Sequence, residues 1–288
     1  MEKTEAHIVP RLPGEIRIQE YAVGIFYLIK SRSAVKKAIK RGEILLEGKP
    51  AETSDWVKEG QKIEFRPTVR KEKIFRLNLN ILFEDQFISV IEKPAGLPTS
   101  GNYFRTLQRA LPFNLEPSSA LDALPRPLPV HRLDNPTSGL LIIAKTADAL
   151  VRLNRDFEEK KISKLYSAIV LGNPPEEKTI TLDIEGKPAV TRLKKTGHFI
   201  VEETDLSLLQ IFPETGRTHQ IRIHLSRSGF PILGDTQYNG TTEKIKSSGL
   251  HLSATGLQFE HPQTKKQMNF EIPPGGNFQN TLNMLKSS

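Results

Sequence analysis

The apolar positions of this chain follow two different rhythms. Between residues 33 and 41, Ala34, Val35, Ala38 and Ile39 share one side of a helical wheel, while Lys36, Lys37, Lys40 and Arg41 share the other. Gly42 follows where a helix stops in the left-handed conformation. Ile44-Leu45-Leu46 then predicts a short strand, Glu47-Gly48-Lys49 a turn, and residues 57–65 a second turn and strand. Residues 66–73 carry charge with little apolar pattern and read as a linker.

From Ile74 onward strands and helices alternate. Two apolar runs flank Glu84-Asp85-Gln86, the pattern of a hairpin, and Lys93-Pro94-Ala95-Gly96 closes its second strand, because proline cannot continue a ladder. Residues 99–129 are rich in proline and predict a long loop with one short helix over 106–111. That loop leads directly into His131, which suits a lid or a substrate-facing wall. Residues 147–157 predict a helix with Ala149, Leu150, Leu153 and Phe157 as its buried stripe, and 164–172 a strand. In Ile221-Arg222-Ile223-His224-Leu225 apolar and polar residues alternate. Residues 215–225 therefore read as a strand with Ile221, Ile223 and Leu225 on one face and Gln220, Arg222 and His224 on the other.

This organisation predicts an α+β protein: an extension over 1–17, a small module with its linker over 18–70, and a large domain over 74–288. Cysteine is absent, which removes disulfides, thiolate metal sites and cysteine nucleophiles. Lys and Arg number 41 against 33 Asp and Glu, and the net charge of +8 favours a polyanionic partner, nucleic acid first. The N-terminus has no apolar stretch of a signal peptide, and no run approaches the roughly 18 apolar residues that span a bilayer. A soluble, cytoplasmic monomer without membrane contact is expected.

One segment concentrates chemistry. His131-Arg132-Leu133-Asp134-Asn135-Pro136-Thr137-Ser138-Gly139 sets a single carboxylate among turn formers at the lip of an apolar strand. Asp134 is either a reactive acid or a residue that caps nearby amides. Arg222, in the middle of an apolar run, needs a partner if it is buried. Asp134 is the natural candidate, and such a pair keeps the carboxylate ionised and aimed; an Arg222 turned to solvent on an edge is the other reading. His131, His219 and His224 lack the spacing of a metal cluster, so no metal is expected. No Gly-x-Ser-x-Gly elbow, Walker A loop or Gly-x-Gly-x-x-Gly occurs, so no nucleotide cofactor is expected either. The charged side of the 33–41 helix is a phosphate-binding surface or merely a solvated face.

Taken together, His131-Arg132-Leu133-Asp134 with Thr137-Ser138-Gly139 resembles the catalytic motif of the RluA family of RNA pseudouridine synthases. Four further segments agree in order and spacing: residues 84–96, Lys164-Leu165-Tyr166, residues 215–224, and Gly234-Asp235-Thr236-Gln237-Tyr238. The resemblance covers about residues 75–273. Ser31-Arg32-Ser33 with Ala38-Ile39-Lys40-Arg41-Gly42 resembles the S4 RNA-binding domain over residues 18–65.

The resemblance implies the pseudouridine synthase fold, with a mixed, mainly antiparallel central sheet and a catalytic cleft, preceded by an S4-like module. It implies Asp134 as the catalytic nucleophile or base, Tyr166 as the ring that stacks on the target uracil, and Arg222 as the arginine paired with Asp134. Arg132 would hold the place of the flipped nucleotide, and Leu252 would pack in the site. Family members often carry histidine where this chain has Ser253. His131 becomes scaffold. The implied partner is RNA, ribosomal ahead of transfer RNA, bound in part by Lys36, Lys37, Lys40 and Arg41, with no cofactor. A non-catalytic RNA-binding protein or rRNA chaperone on the same fold is the alternative.

Overall fold

The computed structural model describes residues 4–68, 73–239 and 249–287. The linker read over 66–73 therefore lies partly outside the described residues. In the N-terminal part the elements are β1 (Glu5–Ile8), β2 (Ile16–Arg17), α1 (Ile18–Tyr21), α2 (Arg32–Lys40), β3 (Ile44–Leu46), β4 (Lys49–Pro50), β5 (Trp56–Val57) and β6 (Lys62–Phe65). Ser31 caps α2 by accepting the Ala34 amide at 3.2 Å. Val35, Ala38 and Ile39 turn inward onto a core with Ile18, Phe26, Ile44 and Ile63. The amphipathic pattern thus fixes which side of α2 is free: Arg32, Lys36, Lys37 and Lys40 are exposed. Gly42 ends the helix at φ 70°. Glu5–Ile8, in the segment read as an extension, joins this sheet by pairing antiparallel with β6.

The larger part opens with β7 (Asn80–Glu84) and β8 (Ile88–Lys93), the expected hairpin. Then come α3 (Leu107–Asn114), β9 (Ala123–Pro129), β10 (Ser138–Thr146), α4 (Ala147–Glu158) and β11 (Ser163–Leu171). The long loop expected over 99–129 is shorter than the prolines suggest. Despite three of them, β9 pairs with β10, lying off the sheet's main path where missing N–H donors cost little.

β12 (Glu177–Thr181), β13 (Val190–Val201), β14 (Thr204–Pro213), α5 (Gln220–Arg227), β15 (Leu252–Glu260), β16 (Gln267–Glu271) and α6 (Gly276–Ser287) complete the chain. The large sheet runs β12-β13-β14-β11-β15-β10-β8-β7, with β16 on β15 and β9 on β10. All its pairs are antiparallel except β10 with β15, so the sheet is mixed and mainly antiparallel.

That parallel pair is short, Ser138 opposite Ser253 and Gly139 opposite Ala254. Its approach is close: a Cβ on Gly139 would lie 2.2 Å from the Ala254 carbonyl oxygen, and Gly139 has φ 116°. Ser138 donates to Ser253 at 3.1 Å, so the serine at this position serves the strand junction.

Residues 215–225 are not a strand. Residues 215–218 form a loop and 220–227 the helix α5. Five alternating residues fit either period, because Ile221 and Leu225 are also four apart, on one helical stripe. The polar half of the pattern does not mark solvent here. Gln220, Arg222 and His224 are buried, and each has partners. Ile221 and Leu225 pack with Ala168, Val170, Leu209 and Leu252 against the sheet.

Candidate active site

The segment 131–137 enters β10 beside the parallel pair, and its backbone is clamped on both sides of Asp134. Thr99 Oγ1 donates to the Leu133 carbonyl at 2.9 Å and accepts the Leu133 amide at 3.2 Å. The Asn135 carbonyl accepts from the Gly96 amide at 2.9 Å and from Lys93 Nζ at 3.1 Å. Lys93 is fully buried at the end of β8, and its ammonium also donates to the carbonyls of Pro94 and Leu97 at 2.9 and 2.7 Å. Burial pulls Lys93 down to about 8, with the nearby Asp134 charge opposing. The Thr137 amide closes the turn onto the Asp134 carbonyl at 3.1 Å.

His131 is scaffold in this arrangement. Its Nε2 accepts the Ile142 amide at 3.1 Å, and its ring packs 4.7 Å from Phe157. Burial lowers its pKa to about 3, helped by Lys164, so the ring is neutral and free to accept.

The Asp134 carboxylate accepts no backbone amide among the described residues. It faces two nitrogens from the start of α5: Arg222 Nη1 lies 3.7 Å from Oδ2 and His219 Nε2 3.8 Å from Oδ1. Arg222 is therefore not chiefly the partner of Asp134, as a strand over this segment would make it. Its bidentate partner is Asp235, with Nε to Oδ2 at 2.8 Å and Nη2 to Oδ1 at 2.7 Å. The physical reason is burial: Arg222 and Asp235 are 4% and 1% exposed, and only a fork-to-carboxylate pair satisfies both charges there. Burial opposes the Arg222 charge, but Asp235 and then Asp134 outweigh it and raise the pKa.

Tyr166 lies on β11 beside a bulge, where Leu165 faces Gly256 and Tyr166 faces Ala254, leaving Thr255 as the extra residue of β15. Bulges re-aim side chains. The ring packs between the core under α5 and the core around Leu133 and Leu141. Burial, with the Asp134 charge behind it, pushes the phenol further up, so it stays protonated.

A cleft of about 860 Å³ gathers Arg132, Asp134, Tyr166, Arg222 and Leu252 in its wall, with Lys160, Lys164, Arg192 and Arg217 adding positive charge. The five site residues that the sequence points to in this domain thus meet at one place. Lys36, Lys37 and Lys40 do not; with Arg32 and Ser33 they line a separate shallow groove along α2. Arg41 is turned aside to Glu43 at 2.5 Å. Sequence reasoning missed Asp235 as the anchor of Arg222, Lys93 as the clamp, and His219 beside Asp134. Gly234-Asp235 and Lys93-Pro94 stand in conspicuous motifs, but nothing local tells which buried charge an acid or lysine will meet.

A single carboxylate facing Arg222 and His219, with a protonated phenol in the wall of the same basic cleft, suits acid–base or nucleophilic chemistry on a polyanion. A family model for RNA pseudouridylate synthase matches residues 87–227. An uncharacterized RNA pseudouridine synthase of Aquifex aeolicus is 32% identical, over 89% of this chain and 90% of its own. The ribosomal large subunit pseudouridine synthase D of Neisseria meningitidis is also 32% identical, over 89% of this chain and 75% of its own. Human RNA pseudouridylate synthase domain containing 4 shares the fold, with a TM-score of 0.57 at 24% identity over 72% of this chain and 93% of its own. The chain belongs to the RNA pseudouridine synthase family. Its class is that of isomerases acting on uridine in RNA.

Proposed function

We propose that this enzyme, a synthase of the RluA type, converts uridines of structured ribosomal RNA to pseudouridine with Asp134 as its catalytic carboxylate, nucleophile or base. The N1–C1′ bond breaks, the uracil turns, and a C5–C1′ bond forms; the C5 hydrogen leaves and N1 ends with a proton. The observation that carries this reading is the Asp134 carboxylate, held by clamped backbone and facing Arg222 and His219 rather than capping amides. A paired base is out of reach, so the uridine is flipped into the cleft. Tyr166 stacks on it, Arg132 takes the vacated place, and Leu252 packs beneath. The large-subunit ribosomal name of the Neisseria relative supports ribosomal RNA ahead of transfer RNA.

The α2 lysines, in the module read as S4-like, supply sequence-independent phosphate contacts. The loop between β8 and α3, which holds Leu133 through Thr99, serves as a wall toward the RNA outside the residues that line the cleft. Its feet join where the Leu107 and Gln108 amides donate to the carbonyls of Pro98 and Thr99 at 2.8 and 3.0 Å, and its tip exposes Tyr103 and Phe104.

Release of the uridine C5 hydrogen from labelled large-subunit RNA tests the reading. Asp134→Asn is expected to bind RNA with unchanged affinity and release nothing. Appreciable turnover by that variant would sink the assignment. Loss of turnover in both Asp134→Asn and wild type, with RNA still bound, would favour the non-catalytic alternative.

A further inference from the structure

His219 occupies an unusual place. It precedes α5 in the left-handed conformation, φ 53° and ψ 23°, which costs a non-glycine residue about 1 kcal/mol or more. Its side chain does not cap the helix it begins. It reaches instead to Tyr238, with Nδ1 2.9 Å from the phenol oxygen, while Nε2 faces Asp134 Oδ1 at 3.8 Å.

The hydrogen-bond directions follow from the neighbours. Gln237 Nε2 donates to the Tyr238 oxygen at 3.3 Å, and among the described residues His219 Nδ1 is the one acceptor that the phenol proton meets. With Nδ1 accepting, the imidazole proton sits on Nε2 and points at Asp134. Tyr238 is fixed from a second side, because the Arg222 guanidinium lies 4.9 Å above its ring. Arg222 in turn addresses the opposite oxygen of Asp134 at 3.7 Å. One phenol therefore braces both donors that flank the carboxylate. The charged or titratable groups facing this cluster are Asp134, Arg222, Asp235 and Tyr238, with Arg217 two residues away and turned to the Pro188 carbonyl.

We propose that His219, its tautomer set by Tyr238, is a positioning residue that holds the Oδ1 side of Asp134 while Arg222 holds the Oδ2 side. The separations of 3.7 and 3.8 Å are too long for direct hydrogen bonds. They shorten, or a water bridges them, when RNA closes the site. The inference rests on Asp134 as the reacting acid.

The test uses the full-length protein, large-subunit RNA transcript and single-turnover release of the C5 hydrogen at saturating enzyme. Asparagine tolerates the left-handed backbone and keeps a polar atom at the δ position, but has no donor at ε; glutamine supplies one. His219→Asn is expected to lower the single-turnover rate about tenfold or more, about 1.4 kcal/mol on the barrier, with RNA affinity and melting temperature unchanged. His219→Gln is expected to recover most of that rate. Tyr238→Phe should slow the step to a similar degree, and the double variant His219→Asn with Tyr238→Phe should be no slower than the worse single one. A wild-type rate in His219→Asn, equal losses in the Asn and Gln variants, or additive losses in the double variant would each overturn the proposal. Its failure is separable from that of the parent reading. An inert Asp134→Asn beside a fully active His219→Asn removes only the role of His219, whereas an active Asp134→Asn removes both.

Discussion

Arg222 grips Asp235 with two nitrogens, at 2.8 and 2.7 Å, and keeps only its third, 3.7 Å away, for Asp134. The guanidinium is a bridge from a buried structural acid to a partly exposed candidate acid. Which of the two it serves more closely is decided by burial.

Removing the buried acid should therefore do more harm to the fold than removing the exposed one. Asp235→Ala leaves the Arg222 charge buried without its bidentate partner, a loss of about 3–5 kcal/mol. Asp134→Ala, at a side chain 18% exposed, should cost under about 1 kcal/mol. Urea unfolding of the two variants measures the contrast. Equal stabilities would mean that Asp235 is not what holds Arg222.

Gly139 marks the point where β10 meets β15, and two glycine substitutions separate crowding from backbone strain. Gly139→Ala puts a Cβ 2.2 Å from the Ala254 carbonyl, and one of the strands has to move. Gly96→Ala has similar left-handed strain, at φ 79°, but nothing within 4 Å. The first is expected to cost at least about 3 kcal/mol and to abolish turnover, the second about 1–2 kcal/mol. Comparable midpoints in thermal unfolding would show that the strands part easily here.

Much of this architecture is legible in the sequence where one period rules a whole segment. The α2 face and α4 follow from spacing alone, because each buries one side and wets the other. The β7–β8 hairpin follows from its turn between two apolar runs, since β8 is buried along almost its whole length. Legibility fails where polar residues are buried. The alternation Ile221-Arg222-Ile223-His224-Leu225 imitates a strand only if its polar members face water, and in α5 they face Asp235 and the Leu182 carbonyl instead. The site divides in the same way. Asp134 stands out from its motif, and Tyr166 and Leu252 come only from the family resemblance. The Asp235 anchor and the Lys93 clamp depend on pairings across 13 and 42 residues that no local pattern encodes.

The lysines of α2 offer a test that does not touch the cleft. Lys36, Lys37 and Lys40 are exposed. Changing all three to glutamine should weaken RNA binding and reduce the slope of log affinity against log salt by about 1 for each phosphate no longer neutralised. The single-turnover rate at saturating enzyme should stay the same. An unchanged slope in a salt titration would return that face of α2 to the status of a solvated surface.

In the loop between β8 and α3, Tyr103 is 70% exposed and its removal leaves no cavity. If the loop it tops is the wall of the RNA site, Tyr103→Ser should raise KM several-fold, in line with about 1 kcal/mol or more for the stacking of one base on an aromatic ring. Tyr103→Trp should keep KM low. Melting temperatures should not move in either variant, so a KM that follows neither change removes the loop from the RNA interface.

Lys93 makes a prediction about pH whose sign is opposite to that of a lysine whose pKa is raised by an acidic partner. Its pKa is about 8 in the fold against roughly 10.4 in an unfolded chain. Between those values the unfolded state binds the extra proton, so this group makes the protein more stable as pH rises through the window. Below about 8 both states carry the proton, and the full burial penalty applies. Three carbonyl acceptors around the ammonium and the nearby Asp134 charge oppose that penalty without removing it. Lys93→Met removes the titration while filling a similar volume. Between pH 7 and 9.5 the wild type should therefore gain about 2 kcal/mol of unfolding free energy relative to Lys93→Met. Denaturant titrations of both proteins at the two pH values read the difference directly. A gap that stays constant would mean that the Lys93 ammonium is not perturbed by its burial.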